Sequence, residues 1–169
     1  MKAFGITGAS GSGKTTLIEA LLPRLRGYGL SISTIKHAHH GFDLDRPGKD
    51  SWRHRQAGAG EVMLVSGGRW ALMREATEEE CALDALLARM APVDLVLVEG
   101  FRAAAIPKLE VYRPALGKAP FWPDDPAILS VATDQPSAVS GRRTLALSDT
   151  NVIAGFILAC AQGAALETA

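Results

Sequence analysis

Apolar segments of strand length alternate with amphipathic helical segments along most of the chain. The first strand is predicted over residues 3–7, and residues 16–26 follow as a helix with leucines on one face. Residues 93–98 are apolar except for Asp94, as expected of a strand that is buried on both faces. This alternation predicts an α/β fold in which helices flank a mostly parallel sheet.

An antiparallel element is predicted inside this alternating pattern. Residues 61–65 and 70–74 are strand-like, and a short segment with two adjacent glycines, Gly67 and Gly68, separates them. Glycine tolerates positive φ angles, so this dipeptide favours a tight turn between two strands. The sequence therefore predicts an inserted β-hairpin.

The remaining elements are predicted from short apolar runs and from helix-start signals. Thr77 and Glu80 have the spacing of a capping box, which predicts that a helix follows them. Residues 114–126 contain four of the nine prolines and predict an irregular loop. Further strands are predicted at 30–35, 109–112, 128–132 and 144–147, and further helices at about 50–57 and from about 150.

Composition excludes several classes of function. The 169 residues fit one domain, and 18 Lys and Arg balance 18 Asp and Glu, so the basic excess typical of nucleic-acid binding is missing. The longest nearly continuous apolar run, residues 152–161, is half the length that a membrane span needs, and no signal peptide is expected. Cys81 and Cys160 lack a paired metal spacing, which predicts reduced thiols in a cytoplasmic protein.

The strongest chemical signal is a phosphate-binding loop of the form G-x4-G-K-[ST] between the first predicted strand and helix. The loop consists of Gly8, Ala9, Ser10, Gly11, Ser12, Gly13, Lys14 and Thr15. Its glycines let backbone N–H groups turn inward around phosphates. Lys14 is placed to reach the β- and γ-phosphates, and the Thr15 hydroxyl is placed to ligate Mg²⁺. The alternative is a glycine turn that binds nothing. We predict a single P-loop NTPase-type nucleotide-binding domain over residues 1–169.

Two acidic residues, Asp94 and Glu99, compete for the role of holding hydrated Mg²⁺. Ligands of open α/β sheets bind beyond the carboxyl ends of the strands. Glu99 ends its predicted strand, whereas Asp94 begins the strand about 16 Å away. Geometry therefore favours Glu99 as the metal-side residue, and a solvated Glu99 is the alternative.

Polar residues leave the carboxyl end of the second predicted strand and thus also lie on the ligand side. These residues are Lys36, His37, His39 and His40. Three histidines within four positions are compatible with a transition-metal site, with contact to an anion or a pterin, or with a solvated loop.

Three further carboxylates are candidates for the nucleotide site. Asp45 and Asp50 lie in the connection after the histidines, which in phosphate-loop proteins often acts as a switch near the γ-phosphate. Capping of a helix N-terminus explains Asp50 equally well. Asp134 follows a late apolar strand and could accept hydrogen bonds from guanine, although an Asx turn explains it equally well.

Six blocks of this sequence occur together in one known family. They are residues 8–15, 35–40, 45–51, 56–59, 69–73 and 97–102. In this order they strongly resemble the molybdopterin-guanine dinucleotide biosynthesis adapter protein B family, MobB. The resemblance covers roughly residues 3–155, and its histidine and Pro-Gly-Lys-Asp blocks are more specific than the phosphate loop.

The resemblance implies a cytoplasmic GTP-binding protein that assists a molybdenum cofactor guanylyltransferase in joining GMP to molybdopterin. It implies slow Mg²⁺-dependent GTP hydrolysis, hence an adapter rather than mainly an enzyme, and a homodimer to which the inserted hairpin contributes. Residues Gly8 to Thr16 would hold phosphate and Mg²⁺, Glu99 would lie beside the metal, and Asp134 would read guanine. Candidates for a switch or for the pterin side are Lys36, His37, His39, His40, Asp45, Asp50 and Arg102.

Two other functions use the same scaffold. A small-molecule kinase would need an acceptor pocket and a mobile lid with arginines, and no lid segment is evident. A nickel metallochaperone GTPase would rest on the three neighbouring histidines. The family blocks favour the adapter over both alternatives.

Overall fold

The computed structural model describes residues 1–38, 45–77 and 79–163. Contacts group the chain into two compact units. The first unit joins Met1–His37 to Ala91–Ala169, and the second comprises Ala38–Met90. The single nucleotide-binding domain over residues 1–169 stays a prediction.

The helices and strands follow one another in the predicted order. They are β1 (Lys2–Thr7), α1 (Lys14–Gly27), β2 (Ile32–Lys36), α2 (Asp50–Gln56), β3 (Glu61–Ser66), β4 (Arg69–Arg74), α3 (Leu83–Arg89), β5 (Leu95–Glu99), β6 (Lys108–Tyr112), β7 (Ile128–Thr133), β8 (Arg143–Ala146), α4 (Thr150–Cys160) and β9 (Gln162–Gly163). The two-residue strand β9 had no counterpart among the predicted elements.

The first unit contains the main sheet, with strand order β2-β5-β1-β6-β7-β8. All neighbours in this order pair in parallel, and β9 pairs antiparallel with β1. Glu99 is in register with Ile6 of β1 on one side and with Lys36 of β2 on the other. The predicted mostly parallel sheet flanked by helices is therefore confirmed, and the carboxyl ends of β1, β2 and β5 meet at one edge.

The core of the first unit lies between the sheet and helices α1 and α4. Leu17, Leu21 and Leu25 recur every four residues along α1 and are buried, as are Ile153 and Ile157 of α4. Fully burying one such side chain contributes about 1.5–3 kcal/mol. Every residue of β5 is buried, which confirms the prediction of a central strand.

Three connections of the main sheet run without an α-helix: between β5 and β6, between β6 and β7, and between β7 and β8. The predicted irregular loop at 114–126 is confirmed, because it contains only a short 3-10 turn at Pro114–Leu116. Buried Glu110 accepts hydrogen bonds from the backbone N–H groups of Phe121 (3.0 Å) and Trp122 (2.9 Å). Buried Lys108 donates to Asp125 Oδ2 at 2.8 Å. The Glu110 carboxylate thus satisfies backbone N–H groups that a helix would satisfy within itself.

The predicted hairpin is confirmed in the second unit. Strands β3 and β4 pair over their full lengths and end in the pair Ser66–Arg69, so Gly67 and Gly68 alone form the turn. Neither of these two described glycines adopts the left-handed backbone conformation. The hairpin therefore forms without the positive φ angles on which its prediction was based.

The predicted capping box also forms in the second unit, but the helix begins later. The Thr77 N–H donates to Glu80 Oε2 (3.1 Å), and the Glu80 N–H donates to Thr77 Oγ1 (3.3 Å). Extended backbone at Ala82 (ψ 144°) separates this turn from α3, which starts at Leu83.

Candidate functional site

The loop between β1 and α1 needs glycine at several positions. Gly8, Gly11 and Gly13 have φ angles of 135°, 80° and 100°, which L side chains rarely adopt. A Cβ at Gly8 would also lie 2.3 Å from the carbonyl oxygen of Val111. Sequence and fold therefore agree on a tight glycine loop at the carboxyl end of β1.

Lys14 extends back across this loop. Its Nζ donates to the carbonyl oxygens of Gly8 (2.9 Å) and Ala9 (2.8 Å). Burial lowers the pKa of Lys14, against the opposing effect of the Glu99 carboxylate. In the same loop the Ser12 hydroxyl is buried without a hydrogen-bond partner among the described residues. A phosphate fits this donor-rich loop, because it supplies acceptors for the ammonium, the hydroxyl and the backbone N–H groups.

Thr15, Glu99 and Lys36 converge beside the loop. The Thr15 hydroxyl donates to Glu99 Oε1 at 3.0 Å, and Lys36 Nζ lies 3.4 Å from the same carboxylate oxygen. Lys36 Nζ also donates to Thr15 Oγ1 at 3.3 Å. The Glu99 side chain is 11% exposed, so it is not a solvated surface residue. A hydroxyl and a carboxylate at this spacing are oxygen donors of the kind that Mg²⁺ prefers, and a hydrated Mg²⁺ fits them.

Asp94 lies at the other end of the same strand. Its Oδ2 accepts hydrogen bonds from the Ser31 N–H (2.8 Å) and hydroxyl (2.6 Å). These hydrogen bonds from Ser31 lower the pKa of Asp94. The structure thus places Asp94 at the start of the strand, as predicted, and brings only Glu99 to the loop.

Asp134 directly follows β7 and forms an ion pair with Arg113. Its Oδ2 accepts a hydrogen bond from Arg113 Nη1 at 2.7 Å, and Arg113 Nε donates to the Ser12 carbonyl at 3.0 Å. A cavity of ≈ 430 Å³ opens beside this pair. Its lining residues are Arg113, Thr133, Asp134, Pro136, Ala146, Leu147 and Ser148. Its volume is in the range of small-molecule sites.

Arg113 was missed by the sequence reasoning. The signal that could have found it is its position directly after β6, at the carboxyl edge of the sheet. The same rule selected Glu99.

His37 packs next to the strand that carries Glu99. The His37 N–H donates to the Glu99 carbonyl at 2.9 Å, and its ring lies 4.9 Å from that of Phe101. Gly100 and Phe101 have φ angles of 89° and 47°, so the chain turns sharply after β5. A Cβ at Gly100 would lie 3.0 Å from His37 Cβ, so a larger residue at this position would crowd His37.

The other histidines of the predicted cluster, His39 and His40, lie outside the described residues. Within residues 1–38, 45–77 and 79–163, no group of three His, Cys, Asp or Glu side chains is arranged to hold a metal ion. In the described part of the chain, no helix is long and apolar enough to cross a membrane.

The three remaining candidates occupy separate surroundings. In the first unit, the Arg102 guanidinium lies 4.0 Å from the ring centre of Phe121. In the second unit, buried Asp45 accepts a hydrogen bond from Arg55 at 3.0 Å. Asp50 is the first residue of α2, and Lys49 occupies the N-cap position. The alternative interpretation of Asp50 as the cap of this helix is therefore wrong. A switch role for Asp45 and Asp50 stays a prediction.

Comparison with known proteins identifies the family of this chain. Residues 3–134 match the sequence model of the MobB family, described as molybdopterin guanine dinucleotide synthesis protein B. The chain belongs to the MobB family. The predicted resemblance is thereby confirmed.

Individual MobB proteins are similar over most of their length. A molybdopterin-guanine dinucleotide biosynthesis adapter protein of Haemophilus influenzae is 44% identical over 156 residues, which cover 91% of this chain and 86% of the relative. The adapter protein of Escherichia coli is 42% identical over 87% of this chain and 84% of its own. A crystal structure of molybdopterin-guanine biosynthesis protein B has a TM-score of 0.74 at 31% identity and covers 93% of this chain and 98% of the other.

Family membership decides between the functions that the scaffold left open. The chain is a MobB adapter of molybdopterin guanine dinucleotide biosynthesis, and neither the kinase nor the nickel chaperone is favoured.

Proposed function

We propose that this MobB adapter binds Mg²⁺·GTP at the loop between β1 and α1 and assists a guanylyltransferase that attaches GMP to molybdopterin. One observation carries the proposal: Lys14, Thr15 and Glu99 meet at a glycine loop at the carboxyl edge of a parallel sheet. Local sequence alone supplies the loop, but only the parallel pairing of β1 and β5 brings Glu99 to it.

Phosphate binding would exchange contacts within the loop. Lys14 Nζ now donates to two carbonyl oxygens of the loop, and a triphosphate offers anionic acceptors in their place. The ammonium is charged in both states, but only a phosphate oxygen carries the opposite charge, so the exchange adds the attraction of an ion pair to the hydrogen bond. The exchange therefore favours the bound state. Backbone N–H groups of residues 8 to 16 and the N-terminus of α1 add to this preference for an anion.

Mg²⁺ would be held by the Thr15 hydroxyl and, through its hydration shell, by Glu99. Mg²⁺ dehydrates reluctantly and usually binds through one or two protein oxygens plus phosphates. The ion would neutralise phosphate charge. Lys36 Nζ lies 3.4 Å from Glu99 Oε1 on the side of β2.

Guanine would be read by Asp134 at the cavity beside Arg113. A carboxylate accepts from the guanine N1–H and 2-amino groups, whereas adenine presents a lone pair at N1. Arg113 connects Asp134 to the Ser12 carbonyl of the phosphate loop, which supports a base site near that loop.

The adapter role, rather than fast phosphoryl transfer, follows from how the arginines are engaged. Fast transfer requires an added positive charge on the transferring group, which arginine fingers supply at about 10³–10⁵ in rate. Arg113 bonds to the Ser12 carbonyl and pairs with Asp134, and Arg102 lies over Phe121. Both guanidiniums already have partners, which supports our inference of slow GTP hydrolysis.

A homodimer would form through the hairpin. Met63 faces Leu72, and Val65 faces Trp70, so these four apolar side chains share one face of the hairpin. Val65 is 73% exposed and Trp70 is 68% exposed. Apolar surface of this kind is typical of protein interfaces.

The free thiols of Cys81 and Cys160 agree with the reducing cytoplasm that we propose as the location.

Calorimetric titration with GTP, ATP and molybdopterin, each with Mg²⁺, tests the ligand. We expect GTP to bind in preference to ATP, and a protein that binds neither nucleotide refutes the proposal. Addition of a purified molybdenum cofactor guanylyltransferase tests the adapter role, because dinucleotide formation should then increase. Sedimentation of the wild-type protein and of Trp70→Glu tests the dimer, because a charge on the apolar face should yield monomers.

A further inference from the structure

Arg113 connects two parts of the proposed nucleotide site that are far apart in sequence. Its Nε donates to the carbonyl oxygen of Ser12 in the phosphate loop at 3.0 Å. Its Nη1 donates to Asp134 Oδ2 at 2.7 Å. One guanidinium therefore bonds a loop carbonyl and a carboxylate at the same time, through two different nitrogens of its planar fork of donors.

The main chain next to Asp134 is held by hydrogen bonds that do not involve Arg113. The Gln135 N–H donates to Thr133 Oγ1 at 3.1 Å, and the Leu147 N–H donates to the Thr133 carbonyl at 3.0 Å. The backbone before Asp134 is thus fixed. The carboxylate itself is 41% exposed, and among the described residues only Arg113 is seen to bond it. Arg113 is the group that decides where this carboxylate lies.

A carboxylate retains acceptor capacity after one such bond. Its two oxygens offer about four acceptor positions, and Arg113 occupies one of them on Oδ2. The edge of a guanine supplies two parallel N–H donors and needs two acceptor positions. Asp134 can therefore hold Arg113 and a guanine together, without displacement of the arginine.

We infer that Arg113 is a positioning residue for base selectivity: it orients Asp134 toward a guanine in the adjacent cavity and ties that base site to the phosphate loop. This inference rests on the proposed function. Without Arg113, the Asp134 side chain can rotate into water. The protein then loses its preference for guanine over adenine, although Asp134 and the phosphate loop are both still present.

The test measures the dissociation constants of Mg²⁺·GTP, Mg²⁺·ATP and Mg²⁺·tripolyphosphate by calorimetry. The variants are Arg113→Met, Asp134→Asn, their double variant and Arg142→Met. Arg142 is the matched control, because its Nε also donates to a main-chain carbonyl, that of Ile128, before β8 begins. Tripolyphosphate carries no base and reports on the phosphate loop alone.

We expect Arg113→Met to lower the ratio of GTP affinity to ATP affinity by about 5- to 10-fold, because the charge-assisted hydrogen bond to Asp134 is lost at a half-exposed site. Asp134→Asn should lower this affinity ratio by a similar factor. The double variant should narrow the ratio no further than Asp134→Asn does. Arg142→Met should keep the wild-type ratio.

Two results overturn the inference. One is an Arg113→Met variant that keeps the wild-type ratio. The other is equal weakening of GTP, ATP and tripolyphosphate, which a purely structural role in the loop would cause. Arg113→Gln serves if the methionine variant does not fold: it removes the charge that pairs with Asp134, so the ratio should narrow as well, and an unchanged ratio there also overturns the inference. A wild-type protein that binds no nucleotide refutes the proposed function itself, whereas a selective wild type with a selective variant refutes only the role of Arg113.

Discussion

Glu99→Gln isolates the charge of the carboxylate that the parallel sheet brings to the phosphate loop. Glutamine preserves the shape and one acceptor oxygen, so the Thr15 hydroxyl, 3.0 Å from Oε1, keeps a partner. The ion pair with Lys36 at 3.4 Å is lost. The substitution therefore changes two quantities that can be measured separately, the stability of the free protein and the effect of Mg²⁺ on GTP binding.

The two effects differ in size. The Lys36 side chain is 61% exposed, and ion pairs with an exposed partner contribute about 0–1 kcal/mol, so the free energy of unfolding should fall by less than about 1 kcal/mol. In the proposed complex with hydrated Mg²⁺, the carboxylate would make charge-assisted hydrogen bonds of about 1.5–3 kcal/mol. Their loss corresponds to about 10- to 100-fold in the dissociation constant. Binding should therefore change far more than stability.

The assay is calorimetric titration with GTP in the presence of Mg²⁺ and in the presence of a chelator. The quantity compared is the dissociation constant of GTP in chelator divided by that in Mg²⁺. Glu99→Gln should reduce this ratio by about 10- to 100-fold, mostly because GTP binds more weakly in the presence of Mg²⁺. Asp94→Asn is the matched control, because it neutralises an acid of the same strand that bonds Ser31 instead. A ratio that Glu99→Gln leaves intact, or that both variants reduce equally, would refute the geometric reasoning.

Three further predictions follow from named contacts. Lys14→Ala removes the ammonium that spans the loop, so calorimetry should show GTP affinity lower by about 10- to 100-fold with little change in Tm, and unchanged affinity contradicts the anchoring role. Phosphate release from labelled GTP should stay well below one turnover per second, as expected without an arginine finger, and rapid transfer of that phosphate to a metabolite would restore the kinase. Burial raises the pKa of Glu110 from its ordinary 4.5, so the folded state binds its proton more tightly than the unfolded chain. The stability linked to this group is therefore complete below about pH 4.5 and is lost as the pH rises through the folded-state pKa. Denaturant unfolding at several pH values should show a flatter profile for Glu110→Gln, and identical profiles contradict the assignment.

The sequence by itself determined the features that depend on neighbouring residues. The spacing of Gly8, Gly13, Lys14 and Thr15 fixes a loop between a strand and a helix, because the left-handed glycines and the helix start are local. Strand polarity was enough to prefer Glu99 over Asp94. The ends of a parallel strand lie at opposite edges of the sheet whatever its neighbours are.

Local patterns also misjudged some details of these elements. The dipeptide Gly67-Gly68 predicted the hairpin correctly, although neither residue adopts positive φ. The capping box of Thr77 and Glu80 forms, yet extended backbone at Ala82 delays the helix to Leu83. Asp50 is one position too late to cap α2. A turn or a cap is favoured by local residues, but such local preferences are weak and the tertiary context overrides them.

Only the tertiary structure decided which polar side chains act together. Arg113 and Asp134 are 21 residues apart, and they meet because β6 and β7 are neighbours whose carboxyl ends share one edge. Glu110 appears in the sequence as one acid of a strand, yet in the fold its carboxylate binds backbone N–H groups of the proline-rich loop. The alternation of apolar and polar residues fixes which elements form, whereas strand order depends on long-range packing. Partners of buried charges follow from strand order, because a charge removed from water must pair with whatever polar group the fold places beside it.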